Sequence, residues 1–409
     1  MSATAFETTS LLARDLPAPA PRWSGFPPYN FVGGHNDPVE IPADALADAA
    51  ASVIRREGSK LAMYNLAHGP QGYETLRDFV ADKLRSHRSI DCMRDDILIT
   101  SGSGQGIDII SRLFLEPGDT VLIEEYCYAG AVGKLKRMGM NVVGIPLDAH
   151  GIRIDALAEI LDDLRVRSVR PKFIYTIPTI QNPTGSILPL DRRHQLVALA
   201  REHGVLVFED ECYADLVWSG DSPPALYALD PGCTVHIGSF SKTLAPALRV
   251  GYAVAPWPIL SRMIACKGDG GTGAVDQMVV AEYFSRNFDS HVQRLTGVLH
   301  EKRDTMIDAM KQHFGTVAEL WEPAGGIFLW LKLPDSVDVR QLIKPAADAG
   351  IAFNPGPEWA CDSEAAKSHL RLCFGLPSKQ QIREGVAAFA RVCFEQTGIP
   401  AVSANVRRA

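Results

Sequence analysis

The feature that most constrains the fold is a regular alternation of short apolar strands and amphipathic helices through the middle of the chain. Strands that are apolar on both faces are typical of a mainly parallel sheet covered by helices on both sides. The sequence therefore predicts an α/β protein that binds ligands at the carboxyl ends of its strands. The predicted strands are Ile97–Ile99, Val121–Ile123, Asn141–Ile145, Lys172–Ile177, Val205–Phe208, Val235–Ile237 and Gly251–Val254.

The pattern changes towards both ends of the chain. Residues 16–28 are rich in proline, which predicts an extended arm because proline cannot sustain a helix interior. Beyond about residue 277, a long helical stretch leads to separate strands, which indicates a smaller α+β domain. We expect residues 1–60 to form an arm and part of the small domain, 61–295 the large domain, and 296–409 the remaining small domain.

Composition and charge disfavour several classes of function. The 409-residue chain has a formal net charge of −7, so it would repel a nucleic-acid backbone. No apolar run reaches the roughly 18 residues of a membrane span. The start of the chain also lacks the basic and apolar regions of a secretory signal. The 8 cysteines are scattered without a Cys-x-x-Cys pair. They predict reduced thiols in a cytoplasmic protein rather than a disulfide framework or a zinc site.

Lys242 has the clearest chemical potential. It follows an apolar strand, in Gly-Ser-Phe-Ser-Lys-Thr, and no charged residue lies within five positions on either side. A desolvated lysine has a depressed pKa and a free amine, which can form a Schiff base with an aldehyde. Ser239, Ser241 and Arg249 could bind a phosphate nearby. Taken alone, the pattern also fits an ordinary loop lysine.

Two further motifs follow predicted strands. Asp210 ends a strand that reads as buried, so its carboxylate needs a partner, for which a protonated pyridine nitrogen is suitable. A helix cap, or a divalent-metal cluster with Glu209 and Glu211, is the alternative. The glycine-rich run Thr100–Gly106 lies between a strand and a helix, which indicates a phosphate cradle. A dinucleotide loop is its rival.

Asn182 and Arg371 are weaker signals when each is taken alone. Asn182 lies in Gln-Asn-Pro-Thr-Gly, which is also ordinary turn chemistry. Arg371 lies inside the apolar strand Leu-Arg-Leu-Cys-Phe. A guanidinium there can bind a carboxylate bidentately, or it can form a structural salt bridge.

In their order along the chain, these motifs resemble those of the class I/II aminotransferases, which are pyridoxal-phosphate enzymes of fold type I. The resemblance extends from about Tyr29 to Arg391. It implies a large domain with a mainly parallel seven-stranded sheet and a pyridoxal 5'-phosphate cofactor. It further implies amino-group transfer between an L-amino acid and a 2-oxo acid, in a homodimer with shared active sites. The matching positions are Tyr64, Gly69, Gly72, Ser103, Tyr128, Asn182–Gly185, Asp210, Tyr213, Ser239, Lys242, Arg249 and Arg371.

The same resemblance implies roles for these residues. Lys242 would form the internal aldimine and later move the substrate's α-proton. Asp210 would pair with the pyridine nitrogen, and Tyr128 would stack on the ring. The substrate would contact Arg371, Gly34 and Asn182. The remaining cofactor-binding positions are Ser103, Gly104, Gln105, Asn182, Tyr213, Ser239, Ser241, Arg249 and, from the neighbouring subunit, Tyr64. No metal is expected.

Other functions remain open. Racemases, β-lyases and decarboxylases use the same scaffold. A non-catalytic effector-binding module, as in some bacterial transcription regulators, is disfavoured because the region before Tyr29 reads as too short and proline-rich for a DNA-binding domain. A nicotinamide dehydrogenase is disfavoured because Ser101–Gly106 fits its glycine pattern poorly. That reading also leaves Lys242 and Asp210 unexplained.

Several positions depart from the family's usual pattern. Gly104 stands where a bulkier polar residue is common, and Trp359 where Phe is frequent. The segment 35–37 (His-Asn-Asp) replaces a more apolar stretch, and Lys267–Gly273 is unusually rich in glycine. We hypothesise that this glycine run widens the pocket for a bulky or polar substrate side chain, and a preference for alanine would count against that hypothesis.

Overall fold

A computed structural model describes residues 8–12, 16, 19–20, 22–220 and 222–400. Parts of the expected N-terminal arm, and residues 401–409 of the expected small domain, lie outside these ranges. The helices are α1 Ala43–Glu57, α2 Glu74–Arg88, α3 Ser103–Phe114, α4 Ala129–Arg137, α5 Ile154–Val166, α6 Leu190–His203, α7 Leu226–Leu229, α8 Trp257–Cys266, α9 Ala274–Phe314, α10 Ile343–Asp348 and α11 Lys379–Thr397.

The strands are short, and most of those in the large sheet are buried. They are β1 Tyr29–Asn30, β2 Ile97–Thr100, β3 Thr120–Glu124, β4 Asn141–Ile145, β5 Leu147–Asp148, β6 Gly151–Ile152, β7 Phe173–Thr176, β8 Leu206–Asp210, β9 Thr234–Ser239, β10 Gly251–Val254, β11 Glu319–Trp321, β12 Phe328–Lys332, β13 Ile351–Ala352, β14 Asn354–Pro355 and β15 His369–Cys373. In the described ranges, no helix is both long enough and apolar enough to cross a membrane.

Seven strands form the large sheet, in the order β2-β10-β9-β8-β7-β3-β4. Each of the seven predicted apolar segments forms one of them. The neighbouring strands from β9 through β8, β7 and β3 to β4 all pair in parallel. Strand β10 runs antiparallel to both of its neighbours, β2 and β9. The predicted α/β fold with a mainly parallel sheet is therefore confirmed.

Helices cover both faces of this sheet, and neighbouring strand residues point to opposite faces. Val121 and Ile123 of β3 pack in one cluster with α3, α4 and α8. Leu122, between them, packs on the other face with α5 and α6. Further along that second face, β2 and β10 pack against α2 and the first half of α9.

A smaller layer follows in the chain. The strands β11, β12, β15 and β14 form an antiparallel sheet in that order. The N-terminal strand β1 pairs in parallel with β13 at Tyr29 and Ile351. Helix α9 links the two layers, because Phe284 belongs to the core of the large sheet and Met306 to the core of the small one. This continuous helix crosses the expected boundary at residue 295.

Candidate active site

The polar residues that follow β7, β8 and β9 come together at the carboxyl edge of the large sheet, as expected for parallel strands. A cavity of about 160 Å³ opens there. It is lined by Ser103, Gly104, Tyr128, Ile177, Asn182, Asp210, Cys212, Tyr213, Ser239, Ser241, Lys242 and Arg249. Most of the cofactor-binding residues predicted from the sequence are therefore neighbours in space.

Lys242 follows β9 and its side chain is partly buried. Its Nζ atom donates a hydrogen bond to the Gly34 carbonyl oxygen at 2.8 Å. Any side chain at position 34 would collide with Nζ, so the close approach requires glycine there. Burial lowers the pKa of Lys242, and Arg371 and Arg249 act in the same direction. The amine is thus held towards its neutral, nucleophilic form.

Asp210 is the last residue of β8 and is buried. Its carboxylate accepts hydrogen bonds from the Tyr175 hydroxyl at 2.6 Å and from the Cys212 backbone N–H at 3.2 Å. Burial raises the pKa of Asp210, and these two hydrogen bonds oppose that rise. The residue therefore presents a hydrogen-bonded carboxylate to the cavity, which fits a cationic ring nitrogen. Tyr175 is not identified from the sequence as a partner of Asp210. The available signal is its position in an apolar strand, because a buried tyrosine hydroxyl usually needs a hydrogen-bond partner.

The neighbouring acids point away from Asp210, as strand alternation requires. Glu211 accepts two hydrogen bonds from Arg88, at 2.5 and 2.6 Å. Glu209 accepts from the first backbone N–H groups of α7 and lies 2.9 Å from His236 Nδ1. Ligand atoms of Glu209, Glu211 and His236 do lie within 4.8 Å of one another. Both carboxylates nevertheless have protein partners, which explains the acidic triplet as an ion pair and a helix cap.

The other end of the cavity is suited to an anion. Helix α3 begins at Ser103, where free backbone N–H groups and the helix dipole favour negative charge. Gly102 has a φ of +77°, and a Cβ there would lie 2.5 Å from the Arg249 guanidinium. A Cβ at Gly104 would meet open space. Ser239 Oγ accepts from the Ser241 N–H at 3.1 Å, and both serines line the cavity. These donors fit a phosphate.

Two predicted cofactor residues do not line the cavity in this chain. Gln105 accepts from the Ser101 N–H at 2.8 Å and donates to Asp269 at 2.6 Å, so it ties the start of α3 to the glycine-rich run. Tyr64 is 87% exposed, and its ring lies beside Gly270. A contact between Tyr64 and a cavity would need a second chain, as the resemblance implies.

The glycine-rich run lies against the segment that contains Tyr64 rather than against the cavity of its own chain. Gly271 has a φ of +112°, and a Cβ there would collide with the Asn65 side chain. Asp269 accepts hydrogen bonds from Lys267 at 2.6 and 2.8 Å and from the Gly271 N–H at 3.0 Å. The close approach of Asn65 therefore requires at least one of these glycines. The hypothesis that the run widens a substrate pocket stays a prediction.

Arg371, on β15 of the small sheet, does not line the cavity itself but contacts Asn182, which does. It donates to Asn182 Oδ1 at 3.0 Å, and to the Gly33 carbonyl and Asn354 Oδ1 at 2.9 Å each. Its guanidinium carbon lies 3.8 Å from the centroid of the Trp359 ring. In the described part of the chain, its Nε has no hydrogen-bond partner. A buried guanidinium held by neutral groups, with a donor to spare, fits a carboxylate better than a structural salt bridge.

Comparison with known proteins agrees with this geometry. Residues 35–389 match the family model of aminotransferase class I and II. The chain is 32% identical to a 2-aminoadipate transaminase of Thermus thermophilus, over 88% of this chain and 89% of that protein. It is 29% identical to aromatic-amino-acid aminotransferase 1 of Thermococcus litoralis, over 90% and 88%.

A solved structure shows the same architecture. The alpha-aminoadipate aminotransferase from Thermus thermophilus, complexed with N-(5'-phosphopyridoxyl)-L-leucine, superposes with a TM-score of 0.82 at 31% identity. The superposition covers 90% of this chain and 93% of the other. The anion cradle, carboxylate and lysine of the cavity fit the phosphate, ring nitrogen and aldehyde of pyridoxal phosphate. The chain therefore belongs to the class I and II aminotransferases, which are pyridoxal-phosphate-dependent enzymes of fold type I.

Proposed function

We propose that this aminotransferase works through Lys242, which holds the cofactor and later moves the substrate's α-proton. The observation that carries the proposal is the presence, in one cavity, of an amine, a carboxylate and an anion cradle. Each matches a different part of one cofactor, and no two of them neutralise each other directly. Lys242 donates to a carbonyl, and Asp210 accepts from a tyrosine.

When bound, pyridoxal phosphate supplies an aldehyde that captures amines and a ring that accepts electrons from the substrate's α-carbon. Asp210 would face the ring nitrogen, and Tyr175 would stabilise its negative charge. Asn182 and Tyr213 would donate to the ring's phenolic oxygen, and Tyr128 would cover the ring face. The phosphate would be held by Ser103, Gly104, Ser239, Ser241 and Arg249, and by Tyr64 of the partner subunit.

The substrate's two charged groups would lie between Lys242 and Arg371. Arg371 would bind the α-carboxylate and so fix the α-carbon beside the lysine. The Lys242 amine, whose pKa is lowered by burial, can then accept the α-proton as a general base. The same nitrogen carries the proton to the cofactor's carbon as a general acid. Gly34 would contact the substrate through its backbone, because Lys242 already lies against that carbonyl.

The assembly and location follow from the same reasoning. We propose a homodimer, because Tyr64 is exposed in one chain and would complete the partner's phosphate site. We propose a cytoplasmic location, because the 8 cysteines are free thiols, which suits a reducing compartment. We retain residues 1–60, 61–295 and 296–409 as the proposed division into domains.

A half-reaction tests the proposed function. The purified holoenzyme should convert an amino acid to its 2-oxo acid in a single turnover, with loss of the cofactor's visible absorbance. A second 2-oxo acid should restore the absorbance. Lys242→Ala should abolish both steps, whereas Lys344→Ala, a change to an exposed lysine, should leave them intact. Racemised amino acid, released carbon dioxide or an eliminated side-chain group, without reversible absorbance loss, would instead indicate the alternative chemistries of this scaffold.

A further inference from the structure

Two neighbouring carbonyl groups mark the place of the substrate. The Lys242 amine donates to the Gly34 carbonyl at 2.8 Å, and Arg371 Nη2 donates to the Gly33 carbonyl at 2.9 Å. The amino group and carboxylate of a substrate held by these two side chains would both lie along this turn. Both groups are attached to one α-carbon. The third substituent, the side chain, would therefore pass the next residue of the turn, His35.

An aromatic surface extends outward from His35. The imidazole folds back over Gly33, where a Cβ would lie 2.9 Å from two ring atoms. Phe26 packs edge-on against the imidazole with ring centroids 5.1 Å apart, and Trp23 packs edge-on against Phe26 at 5.0 Å. Phe26 is 55% exposed and Trp23 is 75% exposed, so both rings keep free faces. We refer to Trp23, Phe26 and His35 as the aromatic wall.

The cationic residues that line the cavity already have partners in the proposed function, and the exposed Arg22 precedes Trp23 on the segment of the aromatic wall. Among the described residues that line it, the cationic ones are Lys242 and Arg249, which serve the cofactor's aldehyde and phosphate in the proposed function. Arg371 serves the α-carboxylate. Burial and the nearby Lys242 lower the pKa of His35, so its imidazole is neutral near pH 7. A ring gains contacts on the exposed faces of the aromatic wall, whereas a second carboxylate gains none there and stays in water.

We propose that the enzyme prefers aromatic amino donors to dicarboxylic ones because the donor's ring packs on the aromatic wall. This inference rests on the proposed function, since Lys242 and Arg371 fix the α-carbon from which the side chain extends. Aromatic rings attract one another edge-to-face or offset, beyond the gain from buried area. The exposed faces of Phe26 and Trp23 offer such contacts to a side chain that passes His35.

The test is the single-turnover half-reaction of the holoenzyme with phenylalanine, tryptophan, 2-aminoadipate, aspartate and alanine. Phenylalanine should react at least ~10-fold faster than 2-aminoadipate at equal concentration, because only the ring gains contacts on the wall. Phe26→Ala should slow phenylalanine about 10-fold and alanine less than about 2-fold, since a methyl group does not reach the wall. His35→Ala should act in the same direction. Trp257→Ala removes an exposed ring on α8 and should change neither rate.

Faster conversion of 2-aminoadipate or aspartate than of both aromatic donors would overturn the proposal. Equal slowing of alanine and phenylalanine by Phe26→Ala would also overturn it. The Phe26 ring would then support the site for every amino acid and would not select aromatic side chains. So would loss of the dimer as the sole effect of that change, measured by light scattering. Failure of every amino acid to discharge the wild-type absorbance would refute the proposed function itself.

Discussion

Arg371 offers a sharp quantitative prediction, because its hydrogen bonds can be counted. A guanidinium has five N–H groups. Three are used by Asn182, Gly33 and Asn354, and five minus three leaves two without a partner in the described chain. These two are on Nε and Nη1 and point to opposite sides, so a bidentate carboxylate would bind Nε together with one Nη2 N–H and replace Gly33 or Asn354 there. Arg371→Lys keeps the charge but replaces this fork with a single ammonium group.

The expected loss follows from that count. One hydrogen bond to a charged group contributes about 1.5–3 kcal/mol, so losing one of the pair lowers kcat/KM for an amino acid by roughly 10- to 150-fold. The assay compares phenylalanine with phenethylamine, which has the same side chain without the carboxylate, by following the cofactor's absorbance. The slow reaction of phenethylamine should change little in the variant. Arg340→Lys, an exposed arginine paired with Asp338 and Glu364, is the matched control.

Two outcomes would refute this reasoning about Arg371. The first is an equal loss of rate for phenylalanine and phenethylamine, because the arginine would then support the cavity rather than the carboxylate. The second is an unchanged kcat/KM for phenylalanine in a variant whose fold is intact by circular dichroism. Either result would leave the two unpartnered N–H groups without a function.

Three further predictions concern buried polar groups. Tyr175→Phe removes a hydrogen bond from the ionised Asp210 carboxylate, so the pKa of Asp210 should rise further, and the acid limb of the pH–rate profile should move to higher pH; an unmoved limb contradicts this. Arg88→Met leaves Glu211 as a buried charge without its main partner, and unfolding in denaturant should show a loss of about 3–5 kcal/mol. A loss below ~1 kcal/mol would indicate that water replaces the arginine. Burial lowers the pKa of His369 from 6.5 to about 4. Above pH 6.5 the imidazole is neutral in both the folded and the unfolded chain. As the pH falls from 6.5 to 4, the unfolded chain binds the proton first, so the free energy of unfolding decreases. His369→Phe should flatten the pH dependence of Tm in that window, and an unchanged slope would contradict the assignment.

The predictable part of the site consists of residues whose position along a strand fixes their place in space. Lys242 and Asp210 follow neighbouring parallel strands, so the alternation of strands and helices alone places them at one edge of the sheet. Strand alternation could also have separated Asp210 from Glu209 and Glu211, because consecutive side chains point to opposite faces. The same period argues against a metal site shared by all three acids, a distinction that their residue types alone do not make.

The remaining features depend on contacts that no local pattern records. Gln105 sits in the phosphate motif, yet its amide turns to Asp269, which is far away in the sequence. The antiparallel direction of β10 could not be read from its apolar residues, since buried strands of either direction have the same composition. The proposed role of Tyr64 depends on a second chain. Predicting these features requires the three-dimensional structure. Predicting where Lys242 and Asp210 lie requires only the order of strands and helices.

The central claim is that one lysine holds the cofactor. Borohydride reduction of the holoenzyme, followed by proteolysis and mass spectrometry, tests it most directly. We expect one added cofactor mass per chain, on the peptide that contains Lys242, and none in protein treated first with an amino acid that discharges the absorbance. An added mass on another lysine, or an unmodified Lys242 peptide from a fully yellow protein, would contradict the account.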